Sequence, residues 1–146
     1  MEIRVANVND VQAVKTFLSK SEVSSDGIET IIDNFLIVEN ADKEMVATLG
    51  IERIENEGLL RSLVVTPEID QTQILMLFKS AMSLAKHKEL EHIYLATNKS
   101  ATISLFSMLG FERVDKDELS PHLLTSSHMQ QLVESEHTFI MKSKVG

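Results

Sequence analysis

Arg61 is the first residue whose type and setting suggest chemistry. It stands four residues before Val65, in a run from Leu59 to Val65 that reads as a strand. A guanidinium binds a carboxylate through two parallel N–H donors, so Arg61 is a candidate for gripping an acidic group. An ion pair with Glu52 or Glu57 is the plainer alternative. Further on, Asp70 and Gln73 have the spacing of a capping box at the start of a helix. His122 and His128 come with no His-x-x-x-His or carboxylate spacing, so no metal site is expected. The single tyrosine, Tyr94, falls in a strand and reads as core. There is no cysteine, which excludes disulfides, thiol nucleophiles and thiolate metal ligands together.

These residues sit in a chain of 146 residues, read as a single domain over 1–146. Hydrophobic residues make up 43% and charged residues 25%, which are ordinary globular values. Net charge is −8, from 22 acidic and 14 basic residues, so no nucleic-acid partner is expected. No apolar run approaches a membrane span, and Met1–Arg4 does not open a signal segment. A cytoplasmic setting and no membrane partner are the expectations. One count is unusual: the chain has five glycines, where average usage predicts about ten.

The elements that must position the chemistry follow from periodicity. Strands are expected at Ile3–Ala6, Phe35–Val38, Met45–Ile54, Leu59–Val65, His92–Thr97, from Phe111, and at His137–Lys142. Asn9, with Gln12, should cap a helix through Lys20. A short helix should start near Asp26, with Ile28, Ile31 and Ile32 inward. Asn40–Lys43 reads as a turn, and Asn56-Glu57-Gly58 as a hairpin. A long helix should run from about Asp70 to Lys88 behind Ile74, Leu77, Phe78, Ala81, Leu84 and Ala85. A helix over Ser100–Leu109 should end at Gly110, with Phe111 folding back. Ser120-Pro121 should open a last helix to about Leu132. Met76, Met82 and Met108 fall at helical spacings and read as core. The order predicts an α/β (α+β) fold: a central mixed sheet of six to seven strands with helices on both faces. Ligands in such sheets gather beyond the carboxyl ends of parallel strands.

This order, with Gly110-Phe111 after a helix and Val65-Thr66-Pro67-Glu68 leaving a strand, resembles the GNAT superfamily of acetyl-CoA-dependent N-acetyltransferases. Phe35-Leu36-Ile37-Val38-Glu39, Gly50-Ile51-Glu52 and Gly58-Leu59-Leu60-Arg61-Ser62-Leu63-Val64-Val65 are similar to one branch of it. That branch holds N-acetylglutamate-synthase-like proteins and arsinothricin-type resistance acetyltransferases. The resemblance implies a bulged, splayed strand at Leu63, Val64 and Val65 whose free backbone binds the pantetheine arm. One N–H there, assigned to Val65, would polarise the thioester carbonyl. It makes Glu52 the candidate base that takes the amine's proton, with a solvated strand residue as the alternative. It assigns Asn98 to the pantetheine, with helix capping as the alternative, and makes Ser104 and Phe106 cofactor-side candidates, with an ordinary polar helix residue as the alternative for Ser104. Phe106 stands where many relatives carry a tyrosine acid, so no side-chain acid is identified. Arg61 and His122 are the acceptor-side candidates. The implied partner is a small amino-acid-like amine, and a homodimer is compatible with the reading.

The superfamily's pyrophosphate loop reads Gln/Arg-x-x-Gly-x-Gly/Ala. The matching stretch here is Ile69-Asp70-Gln71-Thr72-Gln73-Ile74-Leu75, which has no glycine. Backbone N–H groups of Gln71, Thr72, Gln73, Ile74 and Leu75 are the expected phosphate donors. An Asp70 carboxylate would compete for them. It would also repel a phosphate ~5 Å away by roughly 1–3 kcal/mol. The alternative function is therefore a non-catalytic module on this fold that has lost coenzyme A.

Overall fold

The computed structural model describes residues 1–97, 100–119, 121–126, 129–130 and 138–145. Ten longer elements alternate along the chain: β1 (Glu2–Val5), α1 (Val11–Lys20), β2 (Phe35–Glu39), β3 (Met45–Ile54), β4 (Glu57–Val65), α2 (Gln71–His87), β5 (His92–Thr97), α3 (Ser100–Met108), β6 (Glu112–Val114) and β7 (Phe139–Lys144). The strands form one seven-stranded mixed sheet in the order β1-β2-β3-β4-β5-β7-β6. The pairing of β4 with β5 is parallel, while β1–β2, β2–β3, β5–β7 and β6–β7 are antiparallel. The chain divides into two compact units, Met1–Glu52 with Arg61–Leu84, and Arg53–Leu60 with Ala85–Gly146.

In the first unit, Val14 and Leu18 lie one helical turn apart on α1 and are fully buried. They pack with Ile28, Ile32, Phe35, Ile37 and Val64. Each such side chain contributes roughly 1.5–3 kcal/mol by leaving water. Gly50 faces Phe35 across β2–β3, and a Cβ there would meet the Phe35 ring at 2.6 Å. The cap before α1 is Asn7, not Asn9 with Gln12. Asn7 Oδ1 accepts the Asn9 N–H at 2.9 Å, and the Asn7 N–H donates to Asp10 Oδ2 at 2.8 Å. Arg4 explains the shift: it binds Asp10 with both guanidinium nitrogens at 2.8 and 2.9 Å, and Glu39 at 2.8 Å. The expected helix after Asp26 is instead two 3₁₀ turns, Ile28–Thr30 and Ile32–Asn34. Ile28 and Ile32 are buried as expected. Gly27, at φ +76°, sets the first turn.

In the second unit, Leu59, Tyr94, Leu119, Leu123, Met129 and Ile140 form the core. The hairpin turn before β4 is Glu55-Asn56, with Glu55 at φ +55°, so Gly58 belongs to the strand. Pro121–Thr125 is a 3₁₀ turn, where a helix to Leu132 was expected. Ser126 Oγ then accepts the Met129 N–H at 3.2 Å, the contact of a helix N-cap. Ser120 and 131–132 lie outside the described residues.

Three helices end alike. After α1 the Glu22 N–H donates to Ser19 O and the Val23 N–H to Leu18 O. After α2 the Glu89 N–H donates to Lys86 O and the Leu90 N–H to Ala85 O. After α3 the Gly110 N–H donates to Ser107 O and the Phe111 N–H to Phe106 O. Each is a Schellman closure around a left-handed residue. Only the third was legible in advance, because only Gly110 is glycine; Glu22 and Glu89 stand at φ +58° and +62°. Met76 and Met108, expected in the core, are 54% and 80% exposed.

Candidate functional site

The first unit carries most of the candidate residues. β4 runs nine residues, but its parallel register with β5 covers only Glu57↔His92, Gly58↔Ile93 and Leu59↔Tyr94. Past that point the strand is kinked at Ser62, whose φ is +58°. A left-handed residue inside a strand is the signature of a bulge, and a non-glycine there is strained by about 1–2 kcal/mol. The buried Thr48 hydroxyl on β3 donates to the Ser62 carbonyl at 2.9 Å and fixes the distortion. Beyond it Leu63 and Val65 are exposed, 40% and 38%, while Val64 is buried. The irregular residue of this strand is thus Ser62, one position before the expected Leu63–Val65.

Arg61 is half-buried, and its Nε–H reaches Ser62 Oγ at 3.4 Å. Glu57, one partner considered for it, is occupied by His92, with Nδ1 3.0 Å from Oε2. Glu52 lies on the same unit's β3, half-buried.

Asp70 and Gln73 close on each other. The Gln73 N–H donates to Asp70 Oδ1 at 2.8 Å, and the Asp70 N–H donates to Gln73 Oε1 at 2.9 Å. The Ile74 N–H already donates to the Asp70 carbonyl at 3.0 Å. Of the phosphate donors expected from Gln71 to Leu75, the N–H groups of Gln73 and Ile74 are thus taken, and Leu75 lies inside the helix. Gln71 and Thr72, both exposed, hold the first helical N–H groups, which have no partner within the helix. Thr66 was missed by the sequence reading. Its Oγ1 is buried and lacks a hydrogen-bond partner among the described residues. A threonine after a strand has too many uses for its sequence position to single it out.

Two observations thus fit an acetyl-CoA arm and one opposes it. The irregular backbone at Ser62 and the unpartnered Thr66 hydroxyl are the features that fit such an arm. The Asp70–Gln73 box closes the helix end where a pyrophosphate would bind.

In the second unit, Ser104 is exposed on α3, while Phe106 is buried, its ring edge-on to Phe111 at 6.2 Å. Phe106 is therefore a packing residue of the helix closure, as much as a candidate cofactor contact. Tyr94 is buried, and its hydroxyl pKa is raised by desolvation and then by the Glu57 charge. His122 lies in the 3₁₀ turn Pro121–Thr125. Asn98 and His128 fall outside the described residues.

No protein-family profile matches the chain. The uncharacterized protein YwlB of Bacillus subtilis (strain 168) is 30% identical over 146 residues, covering 99% of this chain and 98% of that one. Among solved structures, N-acetylglutamate synthase from Neisseria gonorrhoeae, complexed with coenzyme A and N-acetyl-glutamate, superposes with a TM-score of 0.78 at 17% identity. The match covers 99% of this chain and 35% of the synthase, so the chain spans about a third of it. Rv2747 from Mycobacterium tuberculosis, in a complex that includes CoA, gives 0.78 at 14% identity over the full length of both. A GNAT-family acetyltransferase from Staphylococcus aureus Mu50 gives 0.73 at 17% identity, over 99% of each chain. The likeness is one of fold, and that fold is the GNAT acetyltransferase fold.

Proposed function

We propose that this chain, which belongs to the family of Bacillus subtilis YwlB and has the GNAT fold, is an acetyl-CoA-dependent N-acetyltransferase acting on a small amino-acid-like amine. The observation that carries the reading is the left-handed Ser62 inside β4, held by the Thr48 hydroxyl at 2.9 Å. Strain of this kind persists where the surroundings enforce it and marks functional backbone. Acetyl-CoA supplies an activated acyl group. The exposed edge of Leu63–Val65 would hold its pantetheine arm, with the Val65 N–H as the donor toward the thioester oxygen. Asn98, Ser104 and Phe106 are the further cofactor contacts that the resemblance assigns. Glu52 takes the proton from the attacking amine, directly or through one water. Arg61 orients the acceptor by pairing with a carboxylate, and His122 is the other acceptor-side candidate. The thiolate leaves to solvent.

The Asp70–Gln73 box favours a second reading, a GNAT-fold module that no longer holds coenzyme A. Thermal unfolding with and without acetyl-CoA separates the two. A ligand at 100 times its dissociation constant stabilises by about 2.7 kcal/mol. A saturable rise in Tm supports the transferase. No rise at millimolar acetyl-CoA overturns it and leaves the module.

A further inference from the structure

The ends of β6 and β7, in the second unit, bound a cavity of about 480 Å³ that none of the candidate site residues lines. Its walls carry Arg113, Asp115 and Lys116 on one side, Thr138 and Phe139 on the other. Register explains its architecture. Arg113 pairs with Met141, so Phe139, two residues earlier, is its diagonal neighbour on the same face. The Arg113 guanidinium lies 4.7 Å from the centroid of the Phe139 ring. The ring holds the cation by a cation–π contact, and Arg113 is otherwise exposed, so its forked N–H donors can reach a two-point contact. Phe139 also pairs with Thr97, the last residue of β5, which places the cavity at the carboxyl end of that parallel strand. The lining charges, two positive and one negative, leave a local excess of one positive in a chain of net charge −8. Such a site admits a small anion while the molecule as a whole repels a polyanion. The volume falls within the range of small-molecule pockets, and Phe139 offers an apolar surface beside the cation.

We propose that this cavity binds a small organic carboxylate with an apolar body, held by a two-point contact from Arg113 and by packing on Phe139. The test is a ¹H–¹⁵N spectrum of the full chain, without acetyl-CoA, titrated with hydrocinnamate. Saturable shifts confined to 113–116 and 138–140 are expected. Binding should weaken at least tenfold for the neutral hydrocinnamamide, and again for Arg113→Gln. Arg113→Lys, which keeps the charge but loses the fork, should fall between. Titration with L-phenylalanine separates the sources: tighter binding than hydrocinnamate identifies a free amino acid, weaker binding an amine-free acid. Equal affinity for acid and amide, or shifts elsewhere in the chain, would overturn the assignment. Because acetyl-CoA is absent, that failure leaves the transferase reading standing.

Discussion

The Thr48 hydroxyl and the Ser62 carbonyl are joined by a 2.9 Å hydrogen bond, and Thr48 is fully buried. Thr48 is thus the residue that holds β4 out of regular strand geometry. Thr48→Val keeps the volume, removes the donor and leaves the part-buried Ser62 carbonyl short of a partner. A loss of about 1–3 kcal/mol is expected in denaturant unfolding. Acetyl-CoA affinity should fall with it. Unchanged affinity in a folded Thr48→Val variant would detach the bulge from cofactor binding.

Replacing Asp70 and Gln73 together by glycine removes both halves of a helix cap. Stability should drop by about 0.5–2 kcal/mol for the lost cap, with a further penalty for helix glycine. The same change uncovers N–H groups and removes a negative charge, so acetyl-CoA should bind more tightly. The two effects have opposite signs, and calorimetry with and without the ligand reads them separately. Weaker binding would show that the phosphates lie elsewhere.

Glu52→Gln keeps the shape of the side chain and deletes its basicity. Turnover should fall by about 10²–10⁴-fold, with the acidic limb of the pH–rate profile displaced. An unchanged profile removes Glu52 as the base.

Arg4 holds the Asp10 carboxyl below its ordinary pKa, through hydrogen bonds at 2.8 and 2.9 Å. A carboxylate with a depressed folded-state pKa stabilises the fold above its unfolded value. That stabilisation is lost as pH falls through the folded value. Wild type should therefore exceed Asp10→Asn in stability at neutral pH, with the gap closing below about pH 4. A gap independent of pH would assign the effect to packing alone.

Gly50→Ala should destabilise, because the new Cβ would stand 2.6 Å from the Phe35 ring. Overpacking of this kind costs about 1–3 kcal/mol. A double variant with Phe35→Leu should recover part of the loss.

Where the fold was readable, the signal was local. Asp70 with Gln73, and Gly110 with Phe111, encode their hydrogen bonds within a few residues, and both closures formed. Where local signals competed, the reading slipped. Asn7, Asn9 and Asp10 all suit a cap, and the choice fell to Arg4, through Asp10. Helical spacing placed Met76 and Met108 in the core because periodicity finds a face without fixing its edges. The candidate site was legible only as a strand. The bulge at Ser62 has no glycine to announce it, and its anchor, Thr48, lies fourteen residues away on another strand.

Among the described residues, five non-glycines, Glu22, Lys43, Glu55, Ser62 and Glu89, adopt positive φ, against two glycines, Gly27 and Gly110. The left-handed turns that glycine usually serves are therefore mostly carried by residues with a Cβ. Each is strained in the folded chain by about 1–2 kcal/mol. Each also restricts the unfolded chain more than glycine would, which offsets about 0.4–1 kcal/mol of that strain. Glycine scarcity thus lowers the disorder of the unfolded ensemble and raises the tension of the native one. By these magnitudes each such position is a net cost to the native state, only partly offset by a denatured state with fewer conformations to lose.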